Sequence, residues 1–190
     1  MQVHPGDPYA AKHHEGSPGK TEMWHILRAE PNARIAVGLN CAVSRDDLES
    51  AARHGSIEEM LQWVRVQPGE NYFIPAGTIH AIGAGIALFE VQQKSEVTYR
   101  LYDWGRGREL HIQHALEVAD LAPFDGRRDL PLQCEYFRTE PGCSVIDGPA
   151  VVAVIDGAGK TEGNHLIAGD VLEVDGHLAL HGNLKTLCIR

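Results

Sequence analysis

The chain has 190 residues, with 17 basic and 26 acidic side chains and a formal net charge of −9 when histidine is neutral. This acidic balance argues against a nucleic-acid partner, because phosphate binding requires a basic surface. No apolar run approaches the roughly 20 residues of a membrane span, and the N-terminus lacks a signal-peptide pattern. The composition is that of an ordinary globular protein with one domain or two small ones.

Two residue types bear on location and binding. The four cysteines are widely spread without a CxxC pair. This indicates free thiols in a reducing compartment, the cytoplasm, rather than a disulfide frame or a zinc–thiolate site. The eleven histidines are a high count and justify a search for a metal or acid–base site.

The first part of the chain mixes breakers, strands and short helices. Proline and glycine indicate that residues 1–20 are loop-rich. Strand-like alternation follows at 22–27 and 34–39. Ser44 is predicted to cap one short helix, and Ser56 with Glu59 predicts a capping box at the start of a second.

From residue 64 onward the pattern is mostly β. A helix is predicted at 112–119, and the polar stretch 125–129 suggests a boundary between a domain at 1–124 and a smaller one at 130–190. Many short strands with glycine and proline turns favour a sandwich or barrel. The predicted strands lie at 64–66, 72–74, 86–91, 97–102, 135–139, 150–155, 165–167, 171–174 and 186–189.

The segment with the strongest signal is GENYFIPAGTIH, from Gly69 to His80. Its glycines and proline predict a sharp reversal that delivers His80, facing inward, to the start of a strand. The spacing matches the second cupin motif, G(x)5PxG(x)2H, with Ala84 in place of the motif's final asparagine. The segment therefore resembles a cupin jelly roll, although a structural turn with a core histidine would give the same pattern.

Two pairs of polar side chains are candidate partners of His80 in a metal site. Gln2 and His4 are separated by one residue, as are Lys20 and Glu22, so a strand would direct each pair to one face. Amide oxygen, imidazole and carboxylate ligands suit a hard or borderline divalent metal such as zinc. The competing explanation for His4 is a surface histidine on a fraying terminus.

Four sequence blocks occur in an order typical of one family. Together they resemble the short bacterial form of type I mannose-6-phosphate isomerase, a member of the cupin superfamily. The resemblance covers residues 2–121 and continues weakly through 134–190, as a degenerate second cupin. The blocks are QVHP at 2–5, GKTE at 19–22, PAGTIHA at 75–81 and QQKSEVTYRLYD at 92–103.

The resemblance implies a mostly β protein, with a cupin jelly-roll barrel carrying a short helical insertion. It implies a phosphorylated sugar partner and interconversion of mannose 6-phosphate and fructose 6-phosphate through a cis-enediol. The implied ligands of one zinc ion per chain are Gln2, His4, Glu22 and His80. The implied catalytic residues are Lys20, Glu90 and Arg100.

Strand periodicity agrees with a role for Glu90 and Arg100. Glu90 shares a face with Leu88, and Arg100 shares a face with Thr98. Both charged groups would then project into one barrel mouth; a cross-strand salt bridge between them is the alternative. Seven other histidines are interpreted as structural or surface residues: His13, His14, His111, His114, His165, His177 and His181.

Two departures from the family keep other functions open. Family members have a longer upstream segment that supplies strands and a phosphate-binding serine, so the chain is naturally short, truncated or part of a longer product. Gly6 replaces a family aspartate. One alternative is a metal-binding cupin without turnover that binds a sugar or is structural. A cupin dioxygenase is the other, weakened by Gln2 where such sites use histidine. The sequence leaves the oligomeric state open.

Overall fold

The computed structural model of the chain describes residues 1–14 and 16–190. These residues divide into two compact units, 1–128 and 129–190. Strands dominate both units, which confirms the predicted mostly β class. None of the helices in the described residues has the length and apolar character required to cross a membrane.

The N-terminal unit is built from two antiparallel sheets and three α-helices in its described part. One sheet has the strand order β4-β3-β6-β1-β8, and the other has the order β7-β2-β5-β9. The helices are α1 (Asp7–His13), α2 (Arg45–His54) and α3 (Ile112–Val118), and a 3₁₀ helix spans Ser56–Met60. The strands are β1 (Gln2–Val3), β2 (Glu22–Ala29), β3 (Arg34–Leu39), β4 (Leu61–Arg65), β5 (Asn71–Ile74), β6 (His80–Ile82), β7 (Ile86–Gln92), β8 (Tyr99–Arg100) and β9 (Arg127–Arg128).

The C-terminal unit consists of strands joined by glycine-containing turns. Its main sheet has the order β10-β11-β17-β13-β14, with β15 also paired to β13, and β12 pairs with β16. An aliphatic core that includes Ile146, Val152 and Leu166 fills its interior. The strands are β10 (Leu132–Gln133), β11 (Arg138–Pro141), β12 (Val145–Asp147), β13 (Ala150–Lys160), β14 (His165–Ile167), β15 (Val171–Val174), β16 (His177–Ala179) and β17 (His181–Ile189).

Helix α2 confirms its predicted caps. The Ser44 hydroxyl accepts a hydrogen bond from the Asp47 N–H, and Gly55 ends the helix in the left-handed conformation. The capping box predicted from Ser56 and Glu59 is wrong, because this segment is a 3₁₀ helix without a side-chain cap. Gly55, left-handed at the end of α2, occupies the position where that cap would have formed.

Two further predictions need correction. The first twenty residues are not all loop, since α1 begins at Asp7 with Pro8 in its first turn, a position where proline costs no hydrogen bond. The strand predicted at 97–102 is only β8. Upstream of β8, the Val97 N–H donates a hydrogen bond to the Ser95 hydroxyl, so it is not available for pairing with a neighbouring strand.

Strand β1 lies in the interior of its sheet, although it stands at the beginning of the sequence. Gln2 pairs with His80 on β6 and with Arg100 on β8. Both edges of this short strand are therefore hydrogen-bonded, which removes the fraying expected of a terminal segment. This register puts three of the predicted site residues side by side on adjacent strands.

Candidate metal centre

Three side chains from different parts of the N-terminal unit converge in its interior. His4 Nε2 lies 3.2 Å from Glu22 Oε1, and His80 Nε2 lies 3.7 Å from Glu22 Oε2. The three residues are at most 1% exposed. Their ligand atoms lie within 4.8 Å of one another, close enough for one cation to contact all three.

Backbone carbonyl groups fix the tautomers of both histidines. His4 Nδ1 donates to the Val97 carbonyl at 2.9 Å, and His80 Nδ1 donates to the Thr78 carbonyl at 2.9 Å. A carbonyl oxygen can only accept, so each neutral ring carries its proton on Nδ1 and a lone pair on Nε2. Both lone pairs face the Glu22 carboxylate, which is the arrangement found around metal-bound histidine.

The buried atoms at this point lack well-aligned partners. Within the described residues, His4 Nε2 and both oxygens of Glu22 are buried without a hydrogen bond. Unpaired polar atoms in an interior are costly, and two neutral rings cannot satisfy a carboxylate with their lone pairs. A cation among the three atoms would satisfy all of them, so the residues present fit a divalent metal.

Gln2 and Lys20 complete the surroundings of Glu22. The Gln2 amide Nε2 lies 3.2 Å from His80 Nε2, so a half-turn of this amide would present its oxygen at the same place. Lys20 Nζ lies 3.1 Å from Glu22 Oε1, and its side chain is largely buried. The structure thus brings four predicted ligands and the predicted functional lysine together.

The charges of the centre follow from burial. Burial opposes ionisation of Glu22, but the neighbouring His4, His80 and Lys20 groups outweigh it and lower the pKa of this carboxyl to about 2. Burial lowers the pKa of His80 to about 4. At neutral pH the centre therefore presents an ionised carboxylate and a neutral His80, both in the form that a metal ligand requires.

Glu90 lies on the sheet opposite β1 and beside Glu22. It pairs with Trp24, and the Trp24 indole N–H donates to Glu90 Oε2 at 2.9 Å. Partial burial, then the negative charge of Glu22, raise the pKa of Glu90. The Trp24 ring also meets the His80 ring edge-on, with centroids 5.4 Å apart. Trp24 therefore connects the Glu90 carboxylate with the candidate ligands.

Arg100 occupies the other sheet. Its Nη1 donates to the Glu109 carbonyl at 3.0 Å, and its backbone lies beside Gln2. The cross-strand salt bridge considered for Glu90 and Arg100 is wrong. Their strands belong to different sheets, and no ion pair joins them among the residues that the structure describes.

The other histidines lie outside this centre. His165, His177 and His181 are exposed, as expected for surface residues. His14 and His114 bond to tyrosines instead: His14 Nε2 lies 2.7 Å from the Tyr99 hydroxyl, and the Tyr9 hydroxyl lies 2.8 Å from His114 Nδ1. His13 was expected in a loop and is instead the last residue of α1, where its ring stacks on Tyr9.

Sequence reasoning missed the residues that support the ligands. Gly19 approaches the 5–7 backbone so closely that a Cβ would come within 2.5 Å of the Asp7 nitrogen. Gln93, Ser95 and the Val97 carbonyl bond to the same loops. The available signal was the block at 92–103, in which the uncharged Gln93 and Ser95 alternate with the charged Lys94 and Glu96.

Two facing β-sheets that hold a buried His–Glu–His group between them define a cupin-type protein with a candidate metal centre. No family model matches the chain. Mannose-6-phosphate isomerase ManA of Bacillus subtilis is 35% identical over 187 residues, covering 84% of this chain and 58% of that protein. Mannose-6-phosphate isomerase of Streptococcus mutans is 40% identical over 124 residues, covering 62% of this chain and 39% of that protein.

Solved structures agree with these relatives. The mannose 6-phosphate isomerase of Bacillus subtilis superposes with a TM-score of 0.86 at 29% identity, covering all of this chain and 70% of that chain. A phosphomannose isomerase from Salmonella typhimurium, at 14% identity and a TM-score of 0.68, shares the fold. The chain is thus similar to mannose-6-phosphate isomerases over most of its length and shares their cupin fold. It spans less than two thirds of the length of these curated relatives.

Proposed function

We propose that the chain is a zinc-dependent aldose–ketose isomerase that interconverts mannose 6-phosphate and fructose 6-phosphate. The observation that carries the proposal is the buried convergence of His4 Nε2, Glu22 and His80 Nε2, in which His4 Nε2 and both Glu22 oxygens have no hydrogen-bond partner among the described residues. The relatives that carry this activity in their names support the choice of reaction. We also propose the cytoplasm as the location, since all four cysteines are free thiols.

Four residues would hold the zinc ion: Gln2, His4, Glu22 and His80. When bound, the ion supplies a Lewis acid that stabilises negative charge on the substrate's oxygens. The neutral His80 and the ionised Glu22 are already in the ligating state, so little protein reorganisation is needed. The fixed Nδ1 tautomers keep both imidazole lone pairs directed at the same point.

Isomerisation moves a proton between C1 and C2 of the sugar through a cis-enediol intermediate. Glu90 is our candidate for the group that carries this proton. Its raised pKa makes it a stronger base than an ordinary glutamate. The Trp24 indole N–H, on the neighbouring strand, donates a hydrogen bond that orients the Glu90 carboxylate.

Lys20 and Arg100 supply positive charge to the anionic oxygens of the substrate. Lys20 Nζ, at 3.1 Å from Glu22, is placed to bond an oxygen bound beside the ligands. Arg100 lies next to Gln2 in the sheet, and its partly exposed guanidinium has a backbone carbonyl as its partner. A phosphate or enediolate oxygen can therefore bind without breaking an ion pair.

A coupled assay tests the proposal. The chain, loaded with zinc, should convert mannose 6-phosphate to fructose 6-phosphate, and chelation followed by zinc should remove and restore the activity. Metal binding without turnover would contradict the isomerase and favour a metal-binding cupin. Iron in the centre with oxygen uptake on a substrate would favour a dioxygenase.

A further inference from the structure

In residues 92–97, here called the clamp segment, exposed and buried side chains alternate strictly. Beyond Gln92 the segment belongs to none of the described strands, so its buried polar groups need partners elsewhere. Those partners are the two loops that carry the ligands. The buried residues are Gln93, Ser95 and Val97, and the exposed ones are Gln92, Lys94 and Glu96.

Gln93 joins the two ligand-bearing loops to each other. Its Oε1 accepts from the Thr21 N–H at 2.7 Å, next to the ligand Glu22. Its Nε2 donates to Asp7 Oδ1 at 3.1 Å, three residues after the ligand His4. The same Asp7 oxygen accepts from the Gly19 N–H at 2.7 Å. One buried amide thus sets the spacing between the two loops.

Ser95 and Val97 extend the connection to the imidazole. The Ser95 hydroxyl donates to the Pro18 carbonyl at 2.8 Å and accepts from the Val97 N–H at 3.3 Å. Val97 in turn receives the Nδ1 proton of His4 on its carbonyl. The position of this carbonyl, and with it the direction of the His4 lone pair, therefore depends on the Ser95 hydroxyl.

We propose that the clamp segment sets the metal affinity of the centre, with Gln93 and Ser95 as positioning residues. This inference rests on the proposed metal centre. Neither residue is a candidate ligand, yet together they hold the ligand loops at ligating distance before the cation binds. Substitution of groups that orient metal ligands weakens metal affinity by about 10–100-fold, which is the effect expected here.

Zinc affinity, measured by competition with a chelator, tests the proposal. Gln93→Leu and Ser95→Ala should each bind zinc about 10–100-fold more weakly than the wild type. Lys94→Ala, an exposed position between them, is the matched control and should bind as the wild type does. Circular dichroism and thermal unfolding of the metal-free variants check that each chain still folds.

A charge change at the same position gives a second measurement. Gln93→Glu keeps the acceptor for Thr21 but sets a carboxylate against the Asp7 oxygen, so zinc affinity should fall. Wild-type affinity in folded Gln93→Leu and Gln93→Glu would overturn the clamp alone. A wild-type chain that binds no zinc would overturn the metal centre together with the clamp.

Discussion

The two units of this protein fill their interiors in different ways. The N-terminal unit buries His4, Lys20, Glu22 and His80, and in its described part His4 Nε2 and both Glu22 oxygens lie without hydrogen bonds. In residues 129–190, all of which are described, no acidic, basic or histidine side chain is buried. Its buried Thr139 and Thr186 donate to backbone carbonyls, and aliphatic side chains fill the remaining space.

This difference suggests that the polar interior of the N-terminal unit serves metal binding, whereas the aliphatic interior of the C-terminal unit serves stability. Burying charges costs several kcal/mol per ion unless partners compensate, and Lys20 contacts one of the two Glu22 oxygens, so the polar interior of the N-terminal unit remains costly without a metal ion. The C-terminal core stabilises its unit through packing alone. Substitutions in the first interior should therefore change metal affinity and catalysis, whereas substitutions in the second should change the free energy of unfolding.

The largest expected effect is the loss of the metal in His80→Ala. This variant removes a fully buried ligand, so zinc affinity should fall by more than the roughly 100-fold cost of losing an outer partner. Metal content after dialysis measures it. His165→Ala, an exposed histidine of the C-terminal unit, is the control and should retain full zinc content. Unchanged zinc in His80→Ala would contradict the ligand assignment.

Arg100→Ala should affect turnover and leave the metal in place. Removal of one group that stabilises developing negative charge costs about 10²–10³-fold in kcat. Steady-state kinetics and zinc content, measured on the same preparation, check both halves of the prediction. Arg45→Ala, on the first turn of α2, should turn over as the wild type does. A variant of Arg100 with the wild-type rate would eliminate its catalytic role.

Ile146→Ala, in the C-terminal unit, should lower stability without changing zinc affinity. Ile146 is fully buried in the aliphatic core, and truncation to alanine should lower the free energy of unfolding by about 2–5 kcal/mol. Urea denaturation measures this change. Zinc affinity of the folded variant should equal that of the wild type, and a weakened affinity would show that the two interiors are not independent.

Trp24→Phe should produce the smallest effect, a change in pH dependence. If Glu90 acts as the base, the rate falls as pH drops through a pKa that burial and Glu22 hold above the ordinary glutamate value. Loss of the indole donor disfavours the ionised carboxylate, so the acid limb of the kcat profile should move to higher pH. An unmoved limb in a folded variant would exclude Glu90 as the titrating group.

Local chemistry made much of the fold predictable from sequence. Ser44 and Gly55 define the ends of α2 through a hydroxyl acceptor and a left-handed glycine, and strand β3 has the predicted bounds 34–39. The inward position of His80 followed from the turn at 75–77, where Gly77 has a φ of 90°. These features depend on neighbours in the chain, and so the sequence pattern contains them.

Long-range pairing was not predictable in the same way. Periodicity assigned Glu90 and Arg100 to particular strand faces, but it carries no information on strand order. Only the insertion of β1 between β6 and β8 assigns Arg100 to the sheet opposite Glu90. The role of Gln93 likewise depends on contacts with Thr21 and Asp7, 72 and 86 residues away in sequence.

The most direct test is a crystal structure of the zinc-loaded protein, with anomalous diffraction recorded on both sides of the zinc absorption edge. We expect one anomalous peak per chain, bonded to His4 Nε2, the Glu22 carboxylate and His80 Nε2, with the Gln2 amide oxygen as the fourth protein ligand. A peak bound elsewhere, or a loaded crystal with no peak between these side chains, would contradict the proposed centre.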